Sequence, residues 1–557
     1  MKRQTKRLMT VIVSLVLIIG ALSISALAAD TVISGRCGND VTWTLTDDGT
    51  LRISGTGDMY DYDWNYVPWY AYREGISTVV IEQGVTRIGN YAFYSCNIKN
   101  VSIADGVISI GSNAFGYRNE IETLIIPDSV KIIGESAFEN SNDLRYLQLS
   151  DSLEYIGFRA FYNCNDLTSV TLPDSLTYIG DYAFFNCTFE SVDIPENVMS
   201  IGVEAFNDCS YFDVDANNPS YSNDNIGSLF NKDKTVLIKA PRNLYGSYRI
   251  PETVTEIEMY AFWNCYQMTS ITIPDSVTSI GYCAFEACSR LTRVAIPASV
   301  EIIEAAAFND CDSLTAFSVD EDNLNYSSDR SDVLFNKDKS QLIQAPAKIA
   351  GFYEIPDSVV SIENSAFSEC EGLTEVIIPD SVTNIGEKAF WGCRALTSVT
   401  IPGSVETVGG YGAFGYCTDL VDVTFLDGVK SIGRHAFQDC ESLKTAIIPN
   451  SVTNIEDDIF ERCDRLTDVY YAGSQEDWEN IEIGEYNEIL FNAVKYIACG
   501  DVNYDSEVTD SDLVMMARYI VDLESSVSVG IFGDINSDDQ ITNSDLVMVA
   551  RIIVGLE

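Results

Sequence analysis

From about residue 77 the chain repeats one arrangement of apolar and polar positions, L-T-x-V-x-I-P-x-S-V-x-x-I-G-x-x-A-F-x-x-C, well seen in 167–187 and 291–311. Its Ala-Phe step recurs at Phe93, Phe115, Phe138, Phe161, Phe184, Phe206, Phe262, Phe285, Phe308, Phe367, Phe390, Phe414 and Phe437, and Ile-Phe at Phe460 closes a series of fourteen turns. Alternation in the V-x-I segment predicts a short strand, which the following proline ends. The second apolar pair, V-x-x-I-G, is expected to turn the corner. A unit this short cannot bury its own apolar face, so successive units must stack into one continuous core. At roughly 4.8 Å per stacked strand, the array is expected to run on the order of 60–70 Å.

Two steps of the series are long: Phe206 to Phe262 spans 56 residues and Phe308 to Phe367 spans 59. Each holds the same insert, Leu229-Phe-Asn-Lys-Asp-Lys-Thr-Val-Leu-Ile238 and Leu334-Phe-Asn-Lys-Asp-Lys-Ser-Gln-Leu-Ile343. An apolar strand, a polar turn and a second apolar strand predict β-hairpins that leave the solenoid, at about 211–250 and 315–355. The open ends of a stack need covers. Residues 29–76 read as a β cap built on the alternation of Val41–Thr46 and the strand after Thr50. Residues 473–499 read as a closing cap, for which Tyr470 to Ile481 supply a strand and a helix.

These repeats, over about 77–472, resemble the BspA-like class of leucine-rich repeats found on bacterial surface proteins. The resemblance implies a leucine-rich-repeat solenoid of short strands and turns.

The last residues write one unit twice. Asp501-Val-Asn-Tyr-Asp-Ser-Glu-Val-Thr-Asp-Ser-Asp512 returns 33 residues later as Asp534-Ile-Asn-Ser-Asp-Asp-Gln-Ile-Thr-Asn-Ser-Asp545, and each copy runs into an apolar helical segment. A hard cation needs six to eight oxygens, and a twelve-residue loop supplies them from positions 1, 3, 5, 7, 9 and 12. Those positions are Asp501, Asn503, Asp505, the Glu507 carbonyl, Thr509 and Asp512, then Asp534, Asn536, Asp538, the Gln540 carbonyl, Thr542 and Asp545. Two bound Ca2+ ions are therefore expected. The usual turn glycine is replaced by Ser506 and Asp539, and position 12 is Asp rather than Glu. Asp takes a left-handed backbone more readily than Ser, so the second loop is expected to bind the tighter.

Neither loop has room for an entering helix. With Ser511, Ser544, Arg518 and Arg551, residues 500–557 resemble a type I dockerin, a small all-α module of two calcium-binding loop-helix units. The resemblance implies docking into a cohesin module of a cellulosome scaffoldin. It carries the cohesin contacts onto Asp510, Ser511 and Arg518, and onto Asn543, Ser544 and Arg551. The copies agree at 13 of 21 aligned positions (501–521 against 534–554), which implies that either helix could face the cohesin.

At the other end, Lys2, Arg3, Lys6 and Arg7 precede an apolar run from Leu8 to about Leu22 and then Ala26-Leu-Ala28. That pattern is a secretory signal peptide over 1–28, too short in its core for a membrane span. The expected protein is secreted and held on a cell-surface cellulosome. A net charge of −49 argues against nucleic acid, whose phosphates need a cationic surface. The chain has fifteen cysteines, but most recur every 22 to 24 residues, one per repeat, as in Cys370, Cys393, Cys417, Cys440 and Cys463. One small apolar side chain at a fixed slot reads as a buried ladder of free thiols rather than a disulfide framework. Cys37, Cys283, Cys288 and Cys499 have no clear place in that reading.

Catalysis finds little support. His435 is the one histidine, and other turns fill its slot with Tyr91, Asn113, Arg159, Tyr182, Glu204, Cys283 or Lys388, as a variable surface position would. A pair of glycosidase carboxylates is not excluded by counting among 83 acidic residues, yet no length remains for a catalytic domain. Binding to polysaccharide or to another protein is the expectation. Tyr60, Tyr62, Trp64 and Trp69 near the front, and Trp263 and Trp391 after the Ala-Phe step, are the candidate stacking residues for a sugar. For the front cluster the competing reading is a cap over the open end; for Trp263 and Trp391 it is a wedge between turns. A cryptic hydrolase or peptidase, and a structural or inhibitory partner of neighbouring enzymes, remain the alternatives.

Overall fold

The computed structural model describes residues 31–496, so the signal-peptide reading and both calcium loops lie outside the described residues. The chain divides into two compact units, the first ending at Ser220 and the second beginning at Tyr221.

In the first unit, strands Thr31–Arg36, Val41–Thr46 and Thr50–Gly55 form an antiparallel sheet. The third of them runs parallel to Thr78–Ile81, which pairs in turn with Asn100–Ile103. The cap is thus the first layer of the stack. Behind it each turn has three sides. The V-x-I segment forms the first, as in Thr123–Ile125 paired with Tyr146–Gln148.

The V-x-x-I-G segment is more than a corner. Its two-residue pieces Ser109–Ile110, Ile132–Ile133, Tyr155–Ile156, Tyr178–Ile179 and Ser200–Ile201 pair in register within a seven-stranded parallel sheet. The glycine that follows allows this spacing. A Cβ on Gly157 would lie 2.7 Å from the Glu135 nitrogen of the preceding turn.

The third side carries the Ala-Phe step, and two residues per turn there adopt a left-handed backbone, as do Asn113 (φ 56°) and Tyr117 (φ 62°). That conformation aims alternate N–H groups along the stack. Asn113, Phe115 and Tyr117 donate to the carbonyls of Glu135, Ala137 and Glu139 at 2.8, 2.8 and 2.9 Å. The second and third sides thus bond their backbone from turn to turn, while the pairing of the first side is interrupted between Ile103 and Thr123.

Phe93, Phe115, Phe138, Phe161, Phe184 and Phe206 are buried and stack on one another at 5.0 to 5.3 Å. Beside them the thiols of Cys164 and Cys187 donate to the carbonyls of Phe138 and Phe161 at 3.5 and 3.4 Å.

The second unit opens with the first insert. Tyr221–Asn223, Leu229–Asn231 and Val236–Lys239 pair antiparallel, and the last then runs parallel to Glu256–Ile257. The second insert repeats this: Tyr326–Ser328, Leu334–Asn336 and Gln341–Gln344 lead into Ser361–Ile362 and a nine-stranded sheet. The hairpins therefore do not leave the solenoid. Phe230, Leu237, Phe335 and Leu342 are buried in its core, so the apolar strands stay where their burial is. Each hairpin is tied down alike: the Tyr248 hydroxyl donates to Asp224 at 2.9 Å and the Tyr353 hydroxyl to Asp329 at 2.8 Å.

At the far end a helix over Gln475–Glu479, capped by Ser474 with Asp477, buries Trp478 against Tyr471 at 5.1 Å. The strand Val494–Tyr496 closes the last sheet parallel to Asp468–Ala472. Among the described residues no helix is long and apolar enough to cross a membrane.

Candidate functional site

The aromatic candidates at the front separate into two groups. Trp69 is fully buried, donates its indole N–H to the Ala92 carbonyl at 2.9 Å and stacks on Phe93 at 5.6 Å. Trp43 and Tyr62 pack edge-on against it at 5.6 and 5.9 Å. Trp69 is the plug on which the phenylalanine ladder begins, and its faces are not open to a sugar. Tyr62 is half-buried with its hydroxyl toward the Cys37 carbonyl, and burial raises its phenol well above the usual range. Tyr60 and Trp64 are exposed, as are Tyr66 and Tyr72.

Trp391 is half-buried and lies across the next turn, where Cβ atoms on Gly412 and Gly415 would sit 2.7 and 2.6 Å from its ring. Tyr416 packs on it at 4.5 Å and the Lys388 ammonium lies 5.2 Å from its centre. Trp263 is half-buried beneath the Lys239 ammonium at 5.7 Å. Trp391 acts as a wedge between turns.

His435 is not on the surface. It is 9% exposed, its ring meets Tyr411 edge-on at 5.0 Å and its Nδ1 is 3.3 Å from Glu461. The slot varies among turns because it is a left-handed position (φ 53° at His435) whose side chain packs on the neighbouring turn.

A denser constellation lies in the turns of the first unit that carry Phe161 and Phe184. Arg159 occupies the left-handed slot, with its guanidinium 4.6 Å from the Tyr162 ring, 5.1 Å from Phe158 and 5.7 Å from Tyr182. Phe185 stacks on Tyr162 at 5.1 Å and meets Tyr182 edge-on at 5.6 Å. Burial, then Glu204 and Asp181, raise the Tyr182 phenol, so it stays protonated. One residue further along each turn, Asn163 donates to Asn140 and Asn186 to Asn163, both at 2.8 Å. The sequence signal was a cation in the slot, an aromatic three residues on and an aromatic in the slot of the next turn.

The model of the BspA type leucine rich repeat region matches residues 86–213, 242–353 and 348–467, more than half of the chain. The chain belongs to the BspA-type leucine-rich-repeat family. The type I dockerin domain matches residues 499–554. Repeats of this family and dockerins are non-catalytic modules, and no enzyme domain is detected. Type I dockerins bind calcium and dock into cohesins, which marks an extracellular cellulosome component. Both calcium loops offer oxygen donors throughout, as a hard cation requires. Among the described residues no cluster of His, Cys, Asp or Glu is placed to hold a metal, so the calcium reading rests on 500–557.

No curated protein matches the chain. Among solved structures, a leucine-rich repeat protein from Eubacterium ventriosum is 23% identical over 78% of this chain and 84% of its own, with a TM-score of 0.34. A leucine rich cell surface protein from Faecalibacterium prausnitzii is 23% identical over 81% of this chain and 98% of its own, with a TM-score of 0.35. The pneumococcal vaccine antigen PcpA is 17% identical over 83% of this chain and 96% of its own, with a TM-score of 0.30.

Proposed function

We propose that this BspA-type protein is secreted and non-catalytic, hangs on a scaffoldin through 500–557, and presents its repeats to plant polysaccharide. The observation that carries the reading is the type I dockerin match at 499–554, directly behind the strand that closes the solenoid at Val494–Tyr496. The module would take two calcium ions, one per loop, through Asp501, Asn503, Asp505, Glu507, Thr509 and Asp512 and through their counterparts Asp534 to Asp545. Bound calcium supplies the charge that holds each set of carboxylates together, in a module too small to be stable alone. Asp510, Ser511 and Arg518, or Asn543, Ser544 and Arg551, then face the cohesin. Tyr60 and Trp64, exposed on the front cap, remain the stacking candidates there.

The test is retention of the full chain on insoluble plant cell-wall polysaccharide, against an acidic control protein of similar size. Retention supports the polysaccharide arm. Passage with the control removes it and points to a protein partner among other cellulosome components.

A further inference from the structure

We infer that the Arg159 constellation is a binding site for a single sugar carboxylate, the uronic-acid branch of an otherwise neutral polysaccharide. The inference rests on the reading of the repeats as a polysaccharide-binding arm and names what that arm selects.

In a chain with 83 acidic residues, several arginines meet a carboxylate. Arg52, Arg87, Arg145, Arg394 and Arg462 face Glu82, Asp61, Asp166, Glu371 and Asp439 in this way. Arg159 faces rings instead. Its Nε is shielded from solvent with no hydrogen-bond partner, and Phe158, Tyr162 and Tyr182 hold the guanidinium. Packing on aromatic faces fixes the plane of the fork, and with Nε shielded the two Nη groups, which make no hydrogen bond among the described residues, are left as an end-on bidentate donor. A carboxylate is the acceptor whose geometry matches it.

The surroundings favour a sugar over an acidic peptide. Phe158 and Tyr178 are both exposed, and Tyr155 stacks on Tyr178 at 4.7 Å. Aromatic edges offer apolar contact to a pyranose, and the amides of Asn140, Asn163 and Asn186 form a row of donors and acceptors suited to hydroxyls. No unpaired strand edge lies beside Arg159 to take a peptide backbone, because Tyr155–Ile156 is paired on both sides. The net charge of −49 would repel a dense polyanion. One isolated carboxylate meets less of that repulsion, since exposed charges beyond about 8 Å are largely screened at physiological salt, which leaves Asp181 and Glu204 beside Tyr182 as the acidic groups Arg159 must outweigh.

The experiment is calorimetry on the full chain with four probes: a xylo-oligosaccharide bearing one glucuronic acid, its neutral counterpart, polygalacturonate, and a glutamate-rich peptide. Arg159→Gln and Arg159→Lys are compared after thermal melts show that both remain folded. The singly charged sugar is expected to bind about tenfold more tightly than the neutral one, the scale of one hydrogen-bonded charge. Arg159→Gln should erase that difference and Arg159→Lys should keep only part of it. Equal binding of the two sugars, or an unchanged Arg159→Gln variant, overturns the carboxylate site while the polysaccharide reading stands. Preference for the peptide, lost in Arg159→Gln, overturns the sugar in favour of a protein ligand. Binding of no glycan at all overturns both.

Discussion

The thiol of Cys440 donates to the carbonyl oxygen of Phe414, 3.2 Å away in the preceding turn. Cys393, Cys417 and Cys463 repeat the contact at 3.1 to 3.3 Å with Phe367, Phe390 and Phe437. The cysteine is there because the slot takes one small side chain and one weak donor. Burial drives the Cys440 thiol well above its usual range, so the ladder is chemically quiet. Cys440→Ala is expected to cost about 1 kcal/mol for the lost donor and sulfur, and Cys440→Val about 1–3 kcal/mol for overpacking. Denaturant titration checks both. In the same samples a thiol reagent should leave Cys393, Cys417, Cys440 and Cys463 unlabelled until the solenoid unfolds; rapid labelling of these four in the native protein would contradict the ladder.

The left-handed slots make a second prediction. Ala287 sits at φ 59° and donates its N–H to the Asn309 carbonyl at 2.9 Å. An L-residue pays roughly 1–2 kcal/mol for this backbone, and a β-branched one more. Ala287→Gly should leave stability level or up to about 1 kcal/mol higher, because relief of strain is partly offset by unfolded-chain entropy. Ala287→Val should lower it by at least about 1 kcal/mol. Equal melting temperatures for the two variants would remove the argument.

Trp69 tests the cap. Replacing it with alanine empties the space against Phe93, Trp43 and Tyr62 and should cost about 3–5 kcal/mol. Trp69→Phe keeps the stacking but loses the N–H bond to Ala92, for about 1 kcal/mol. Both losses should appear in the melting of residues 31–220, with 221–496 unaffected if the two units melt separately. A nearly silent Trp69→Ala would return the residue to the exposed candidates.

How much of this was legible follows from where each signal lies. The Ala-Phe-Cys period exposed the stack, because nearly every turn buries the same side chains at the same step. The second strand was not legible: a segment as short as Ile132–Ile133 has no alternation to read, and its partners lie a whole turn away. The hairpins were visible as hairpins, but their place in the stack depends on Leu237 meeting Ile257, a pairing between segments. Aromatic density marked 60–72 yet could not separate the plug Trp69 from the exposed Trp64. The Arg159 constellation brings residues 158–162 against 182–185, and only the stacking of two turns assembles it.

The acid–base balance gives a fourth prediction. Burial first, and neighbouring carboxylates after it, raise Glu258, Glu286, Glu369 and Asp312 above their ordinary values. A carboxyl with a raised folded pKa keeps its proton longer in the native state, so stability falls as pH rises from the ordinary value of 4.5 or 3.8 through the folded one. Asp468 moves the other way. Its hydrogen bonds with Lys495 and Thr467 lower it, and its contribution is lost as pH falls below 3.8. With a chelator present to remove calcium effects, the melting temperature of 221–496 should rise from pH 7 toward about pH 5 and drop again below about pH 4. A steady rise from pH 5 to pH 8 would contradict these shifts.

The duplicated calcium unit allows a test that separates attachment from the solenoid. On the proposed ligand set, position 1 of each loop, Asp501 and Asp534, would supply one of the charged oxygens that open the site. If both copies can face a cohesin, as their agreement at 13 of 21 positions implies, a single change should leave one face working. Asp501→Ala alone is therefore expected to weaken cohesin binding only modestly. Asp501→Ala with Asp534→Ala should reduce it more than a hundredfold, and a chelator should do the same to the unaltered chain. The melting of 31–496 is expected not to change, since no cluster of His, Cys, Asp or Glu among the described residues is placed to hold a metal. Cohesin capture that survives both the double substitution and the chelator would sink the calcium-dependent attachment. Loss of capture together with loss of the solenoid's melting transition would show that the two parts do not fold independently.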